Sequence, residues 1–206
     1  MLTIYGVYRS RASRNIWLAN ELGLPFKHVP VMQRYRLKEP LPSGVVHTKS
    51  PEFLKVNPNG HIPSIDDDGV VLHESLAINL YLAKKHGGPL APKTVAEDGE
   101  MGMWSLWAVT EVEPHSLSIA QNGPTDAAVE ALRTPFSVLD KTVEKTGFVV
   151  GSRFTVADIN VAEVVRYAQR APQLFDEAPG VKAWLAACQA RPAFQKMWAE
   201  REKEPA

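Results

Sequence analysis

The chain has 206 residues, room for one large domain or two small ones, and 45% of them are apolar, enough for a real core. Its 23 basic and 23 acidic residues cancel, which argues against a nucleic-acid groove or an anionic membrane as partner. No stretch approaches membrane-spanning length, and the first residues enter a strand pattern directly, without a signal peptide's apolar core, so a cytoplasmic location is expected.

In chain order, residues 2–5 form a short apolar strand. Ile16, Trp17, Leu18, Ala19 and Leu22 then recur at helical spacing, and Gly23 supplies the stop. Pro25 opens a second extended piece with Phe26, His28, Val29 and Val31. Residues 33–50 read as a long loop and 51–56 as a short helix. Two further strands, 62–65 and 70–73, flank Asp66-Asp67-Asp68-Gly69, whose Asp-Gly is a hairpin signal. A helix through Ser75, Ile78, Asn79, Leu82 and Lys85 ends at Gly87-Gly88-Pro89. The order β-α-β-α-β-β-α predicts a small α/β sheet with one parallel and one antiparallel half.

Residues 87–94 read as a linker, after which strand signals largely vanish. Residues 101–120, 127–145, 155–170 and 180–203 read as helices of bundle length, with Pro114 kinking the first. In Phe154-Thr155-Val156-Ala157-Asp158-Ile159, Thr155 is placed to cap a helix and Asp158 to return a bond to the cap's N–H. Phe154 and Ile159 stand where a hydrophobic staple needs them. This is a folding device, not a catalytic Asp. The single cysteine, Cys188, excludes an intrachain disulfide, a CxxC pair and a cysteine-based metal site. On so apolar a helix it reads as a small core residue.

One constellation points to chemistry. Val56-Asn57-Pro58-Asn59-Gly60-His61 runs into Ile62-Pro63-Ser64, and Glu74-Ser75 follows at the head of a helix. A proline-led strand beside a helix N-terminus offers backbone groups and a positive dipole end to a small, extended, acidic peptide. With the βαβ-ββα order, the Pro-rich linker and the capping segment, these motifs resemble the soluble glutathione transferase family over essentially the whole chain. The resemblance implies a thioredoxin-like glutathione-binding domain over 1–86, a linker over 87–94 and an all-helical domain over 95–206.

It also implies site roles. The Ile62–Pro63 bond would be cis, turning Ile62 N–H and C=O toward the cysteinyl backbone of glutathione, a miniature strand addition. Ser75 would hold the γ-glutamyl carboxylate and Glu74 its ammonium, although both residues also serve as ordinary helix-start residues. His61, His47 and Lys49 are the candidates for the glycine carboxylate, the latter two resembling the basic pair of plant-type transferases. For the sulfur, the segment Tyr5 to Arg14 contains Ser10 and Arg14 at the Ser-x-x-x-Arg spacing of serine-type transferases. Ser10 is the first candidate, with Ser13 and Tyr8 as alternatives; Arg14 reads as an ion-pair partner. A free thiol has a pKa of about 8.5, and lowering it by about two units takes about 2.7 kcal/mol.

On the helical side, Trp104, Trp107, Glu111 and His115 share one helix face. Trp107, Glu111 and His115, with Tyr8, are candidates for an apolar electrophile pocket, although such a stripe also suits a core. The expected protein is a homodimeric glutathione transferase of the detoxification type. Glutathione is its co-substrate, and neither metal nor nucleic acid is a partner. The absence of cysteine near Ser10 argues against thiol-transfer chemistry. Peroxide reduction, isomerisation and a non-catalytic binding role are the rival readings.

Overall fold

The computed structural model describes residues 1–41 and 43–205. Pro42, within the expected loop, and Ala206, the end of the expected helical domain, lie outside the described residues. The chain divides into two compact units, Met1–Leu82 joined by the segment from Pro192 onward, and Ala83–Arg191.

In the first unit a four-stranded sheet has the order β2-β1-β3-β4. Its strands are β1 (Leu2–Tyr5), β2 (Phe26–Val29), β3 (Ser64–Asp67) and β4 (Val70–His73). β1 pairs parallel with β2 and antiparallel with β3, with Tyr5 opposite Ser64. The β3–β4 hairpin turns through Asp68 and Gly69, at φ 52° and 90°, the positive angles that a two-residue I′ turn demands. β3 starts at Ser64 rather than at residue 62, so Ile62 and Pro63 precede the ladder.

Helix α1 (Ala12–Glu21) is buried along most of its length, from Ala12 to Ala19. A short helix α2 (Pro51–Leu54) follows the long loop, and α3 (Ser75–His86) follows the hairpin. The C-terminal helix α10 (Pro192–Lys203) also belongs to this unit, whereas the sequence assigns everything after residue 95 to the helical domain. Its Phe194 and Met197 are buried, and the Phe194 ring meets Trp17 of α1 edge-on at 5.0 Å, a favoured aromatic geometry.

The second unit is helical. The expected helix over 101–120 is instead α4 (Val95–Trp107), a π-helical turn over Ala108–Val112 and α5 (Glu113–Asn122). Pro114 is the cause: it has no N–H for the carbonyl four residues back, and a wide turn takes up the mismatch. α4 starts earlier than expected because Thr94 Oγ1 accepts the Glu97 N–H at 3.1 Å. α6 (Asp126–Thr146) buries Leu132, Phe136, Leu139 and Val143 at helical spacing.

α7 (Val156–Val165) passes into a 3₁₀ turn over Arg166–Arg170, and α8 (Pro172–Glu177) was not foreseen. The expected helix over 180–203 is two, α9 (Pro179–Gln189) and α10. They break just before Pro192, whose fixed φ suits a new helix start. Cys188 is buried in α9.

The capping box is present and does more than cap. Asp158 Oδ2 accepts from Thr155 N at 2.8 Å and Thr155 Oγ1 at 3.1 Å. Its Oδ1 accepts from Val149 N at 3.0 Å and from Trp184 Nε1 of α9 at 2.9 Å. One buried carboxylate thus ties α7 to the turn before it and to α9. Nearby, Arg153 grips both Glu97 oxygens at 2.8–2.9 Å and donates to the Pro89 and Ala91 carbonyls. This pins the linker to the start of α4. Replacing Asp158 by Ala strands four buried donors, so Asp158→Ala is expected to lower the unfolding free energy in urea by about 3 kcal/mol or more. A loss below about 1 kcal/mol would contradict this role.

Candidate functional site

The turn between β1 and α1 is built around Gly6, at φ 144°. A Cβ there would stand 2.8 Å from the Ala12 Cβ, which only glycine avoids. The same position lies 3.5 Å from the Ile62 Cβ and 3.6 Å from Ser10 Oγ. Two of the residues singled out from sequence, Ser10 and Ile62, therefore converge over one glycine. Behind it, His28 of β2 donates through Nε2 to the Gly6 carbonyl at 2.7 Å.

Ser10 Oγ accepts the Ala12 N–H at 3.1 Å and donates to the Val7 carbonyl at 2.6 Å. Its oxygen thus closes the turn that leads into α1. Ser13 is a helical residue with no exposed surface, which removes it as a group that meets a ligand. The hydroxyl proton of Ser10 is used within the turn. Rotation about Cβ–Oγ redirects it without moving the oxygen or breaking the Ala12 bond. Tyr8 is half-buried against the His28 ring at 5.0 Å. Burial, and then Glu200 and Glu204 nearby, push its hydroxyl pKa above the usual value, so it stays protonated.

The Ile62–Pro63 bond is cis. Asn57, itself buried, braces the approach to it. Its Nδ2 donates to the His61 carbonyl at 2.9 Å and to Ser64 Oγ at 3.1 Å, and its Oδ1 accepts the Asn59 N–H at 3.0 Å. Sequence reasoning missed this role, although Asn57 stands in the motif it quoted. Gly60, at φ 62°, passes so close to the Thr48 carbonyl that a Cβ would lie 2.6 Å from it and 3.4 Å from Lys49 Nζ. Lys49 and the 57–61 loop are thereby neighbours. His47 Nδ1 accepts the Lys49 N–H at 3.1 Å, which leaves Nε2 as the protonated, donating nitrogen. His61 is exposed.

Glu74 is exposed and has φ 70°, a left-handed conformation costing about 1–3 kcal/mol in a residue with a side chain. Its carbonyl accepts the Ile78 N–H at 2.9 Å, which starts α3. Ser75 is buried, and its hydroxyl accepts from Arg14 NH1 at 3.1 Å. Asn15 Nδ2 donates to the Ser75 carbonyl at 2.8 Å and to Asn79 Oδ1 at 2.7 Å; Asn79 Nδ2 donates to the Arg14 carbonyl at 3.3 Å. These four buried polar residues lock the start of α3 to α1. Arg14 is buried and bonds within this joint, its guanidinium donating to the Ser75 hydroxyl.

In the second unit, Trp107, Glu111 and His115 line a cavity of about 240 Å³ with Thr110, Thr134, Pro135 and Val138. Trp104, from the same stripe, is buried, with its ring edge-on to Trp107 at 4.9 Å. The stripe is therefore part core and part cavity wall. Tyr8 belongs to the first unit and is not among these lining residues. Among the described residues no cluster of His, Cys, Asp or Glu is suited to a metal ion, and no helix is long and apolar enough to cross a membrane.

A four-stranded thioredoxin-like sheet with its helices, followed by a helical domain, is the two-domain architecture of the glutathione transferase fold. The family model described as the glutathione S-transferase N-terminal domain matches residues 4–90, and that of the C-terminal domain matches residues 113–192. Glutathione S-transferase 3 of Zea mays is 34% identical over 95% of this chain and 92% of its own. The solved structure of glutathione transferase F7 from Populus trichocarpa superposes with a TM-score of 0.81 at 25% identity, covering 98% of this chain and 99% of that one. The transferase URE2P6 from Phanerochaete chrysosporium, solved with oxidized glutathione, gives a TM-score of 0.78 at 26% identity, covering 98% and 96%. The chain belongs to the glutathione S-transferase family, and it is an enzyme with glutathione transferase function.

Because Asn57 holds both the His61 carbonyl and Ser64, Asn57→Ala is expected to cost about 1–3 kcal/mol in urea unfolding. Glutathione binding by calorimetry should weaken with it. Unchanged affinity in a destabilised variant would separate the loop's bracing from the site.

Proposed function

We propose that this transferase is of the serine type and joins the glutathione thiolate to small hydrophobic electrophiles. The observation that carries the reading is the convergence of Ser10 and Ile62 over Gly6. Ile62 pairs its backbone with the cysteinyl unit of glutathione, which sets the thiol near Ser10. The Ser10 O–H turns from the Val7 carbonyl to the sulfur. A hydrogen bond to a charged group is worth about 1.5–3 kcal/mol, enough to supply most of a two-unit acidification at about 1.4 kcal/mol per unit.

The γ-glutamyl carboxylate meets the N-terminus of α3 and the Ser75 hydroxyl, which Arg14 orients and keeps electropositive. Glu74 accepts from the ammonium. Its left-handed backbone, over-determined by the start of α3, is the kind of local strain found where a side chain is aimed at a ligand. His47 through Nε2, Lys49 through Nζ, and His61 face the glycine carboxylate. The fungal relative solved with oxidized glutathione supports this class of ligand. The cavity lined by Trp107, Glu111 and His115 takes the electrophile: its aromatic wall suits an apolar ring, and its polar groups orient a leaving group.

We further read the protein as a cytoplasmic homodimer in detoxification. Exposed apolar side chains support the dimer: Met103, Leu106 and Val138 on the helical unit, and Val70 and Val71 on β4. Peroxide reduction or isomerisation would use the same glutathione site, so an electrophile panel separates them.

Ser10→Ala is expected to leave the glutathione dissociation constant within a few-fold and to lower kcat/KM for conjugation by about 10–100-fold, the loss of one charged hydrogen bond. Steady-state kinetics with calorimetry decide it. Full activity in the variant would move the sulfur contact to Tyr8. Glutathione binding without any turnover in the wild type would favour a binding protein.

A further inference from the structure

The segment after α10 is fastened to the turn that carries Ser10. Glu204 Oε1 accepts the Tyr8 N–H at 2.8 Å, and Oε2 accepts the Arg9 N–H at 2.7 Å. Two consecutive amides aimed at one carboxylate form an anion nest, with charge-assisted bonds of the strong kind. The clamp closes from the other side as well. Arg201 donates to the Tyr8 carbonyl, and Arg36 NH1 donates to the Arg9 carbonyl at 3.4 Å. Arg9 Nε donates to the Glu204 carbonyl at 2.7 Å, and Arg36 NH2 to that of Pro205 at 3.2 Å.

Every backbone polar group of Tyr8 and Arg9 is thus held by Glu204, Arg201 or Arg36. The next residue is Ser10, whose hydroxyl lies between this clamp and the first turn of α1. A turn that must aim one O–H at a sulfur within a few tenths of an ångström needs such support. α1 alone fixes only its downstream end.

We infer that Glu204 is a positioning residue for glutathione activation, holding the Tyr8–Arg9 backbone so that Ser10 meets the sulfur. The inference rests on the Ser10 reading above. The sign of its effect separates it from a plain charge effect. An anion near the site opposes thiolate formation, so removing the Glu204 charge would by itself make the bound thiol more acidic. Losing the position of Ser10 makes it less acidic.

The test is an ultraviolet difference titration of the bound glutathione thiolate against pH in wild type, Glu204→Gln, Ser10→Ala and the double variant. Glu200→Gln is the control: Glu200 also lies near Tyr8 but pairs with Lys203 and touches neither amide. The expected result is a thiol pKa raised by about one unit in Glu204→Gln, with kcat/KM at neutral pH down about tenfold. Glutathione affinity stays within about twofold. No further rise is expected in the double variant over Ser10→Ala, and none in Glu200→Gln. Arg36→Lys, which keeps the charge but loses the guanidinium's paired contacts to the Arg9 and Pro205 carbonyls, should move the pKa in the same direction and serves if Glu204→Gln fails to fold. A thiol pKa unchanged or lowered in Glu204→Gln, while Ser10→Ala raises it, overturns the inference and leaves Ser10 standing. If Ser10→Ala also leaves it unchanged, the Ser10 reading fails and the inference with it.

Discussion

The first unit depends on a buried polar joint between two helices. Arg14 and Asn15 of α1 meet Ser75 and Asn79 of α3 through four hydrogen bonds of 2.7–3.3 Å in a region closed to water. Each of these groups would be costly to bury alone, at about 1–3 kcal/mol apiece. Together they leave the backbone little choice of register, because a slip of either helix strands several donors at once. That joint sets the N-terminus of α3 against α1. α1 in turn sets the Gly6 turn through the close approach of Ala12. The two places where glutathione is proposed to be held, the start of α3 and the turn at Ser10, are therefore fixed by the same four side chains.

The energetics of the proposed chemistry are modest. Acidifying a thiol by about two units takes about 2.7 kcal/mol, the scale of one well-aimed hydroxyl with some help from a helix dipole. Geometry is then the scarce quantity. The Ser10 proton has a competing acceptor in the Val7 carbonyl at 2.6 Å. The sulfur must offer the better bond, which a thiolate does and a neutral thiol does not. The turn is thus suited to discriminate between the two protonation states of the ligand.

Much of this was legible in the chain. Leu2–Tyr5 and Val70–His73 came out as read, because strand alternation and an Asp-Gly turn leave few alternatives. The capping box at Thr155 and Asp158 was equally plain, being local. Helix breaks were harder: residues 101–120 keep helical periodicity across Pro114, and a π turn absorbs the proline without disturbing the apolar stripe. Ser10, Ile62 and Ser75, the residues proposed to meet glutathione, stand in motifs whose order is plain in the chain. The roles of Asn57 and Glu204 were not plain. Asn57 works by reaching His61 and Ser64 across a loop. Glu204 meets Tyr8 and Arg9 from the far end of the chain, and no local spacing encodes such a contact.

The most direct measurement is the change in backbone amide chemical shifts when glutathione is titrated into the isotopically labelled protein. The largest changes are predicted at Ile62, at Ser75 and the residue after it, and at the turn around Ser10. Slow exchange with turnover-competent enzyme would confirm that the signals report the productive complex. Shifts confined to other parts of the chain, with these amides unmoved at saturating glutathione, would contradict the proposed site as a whole.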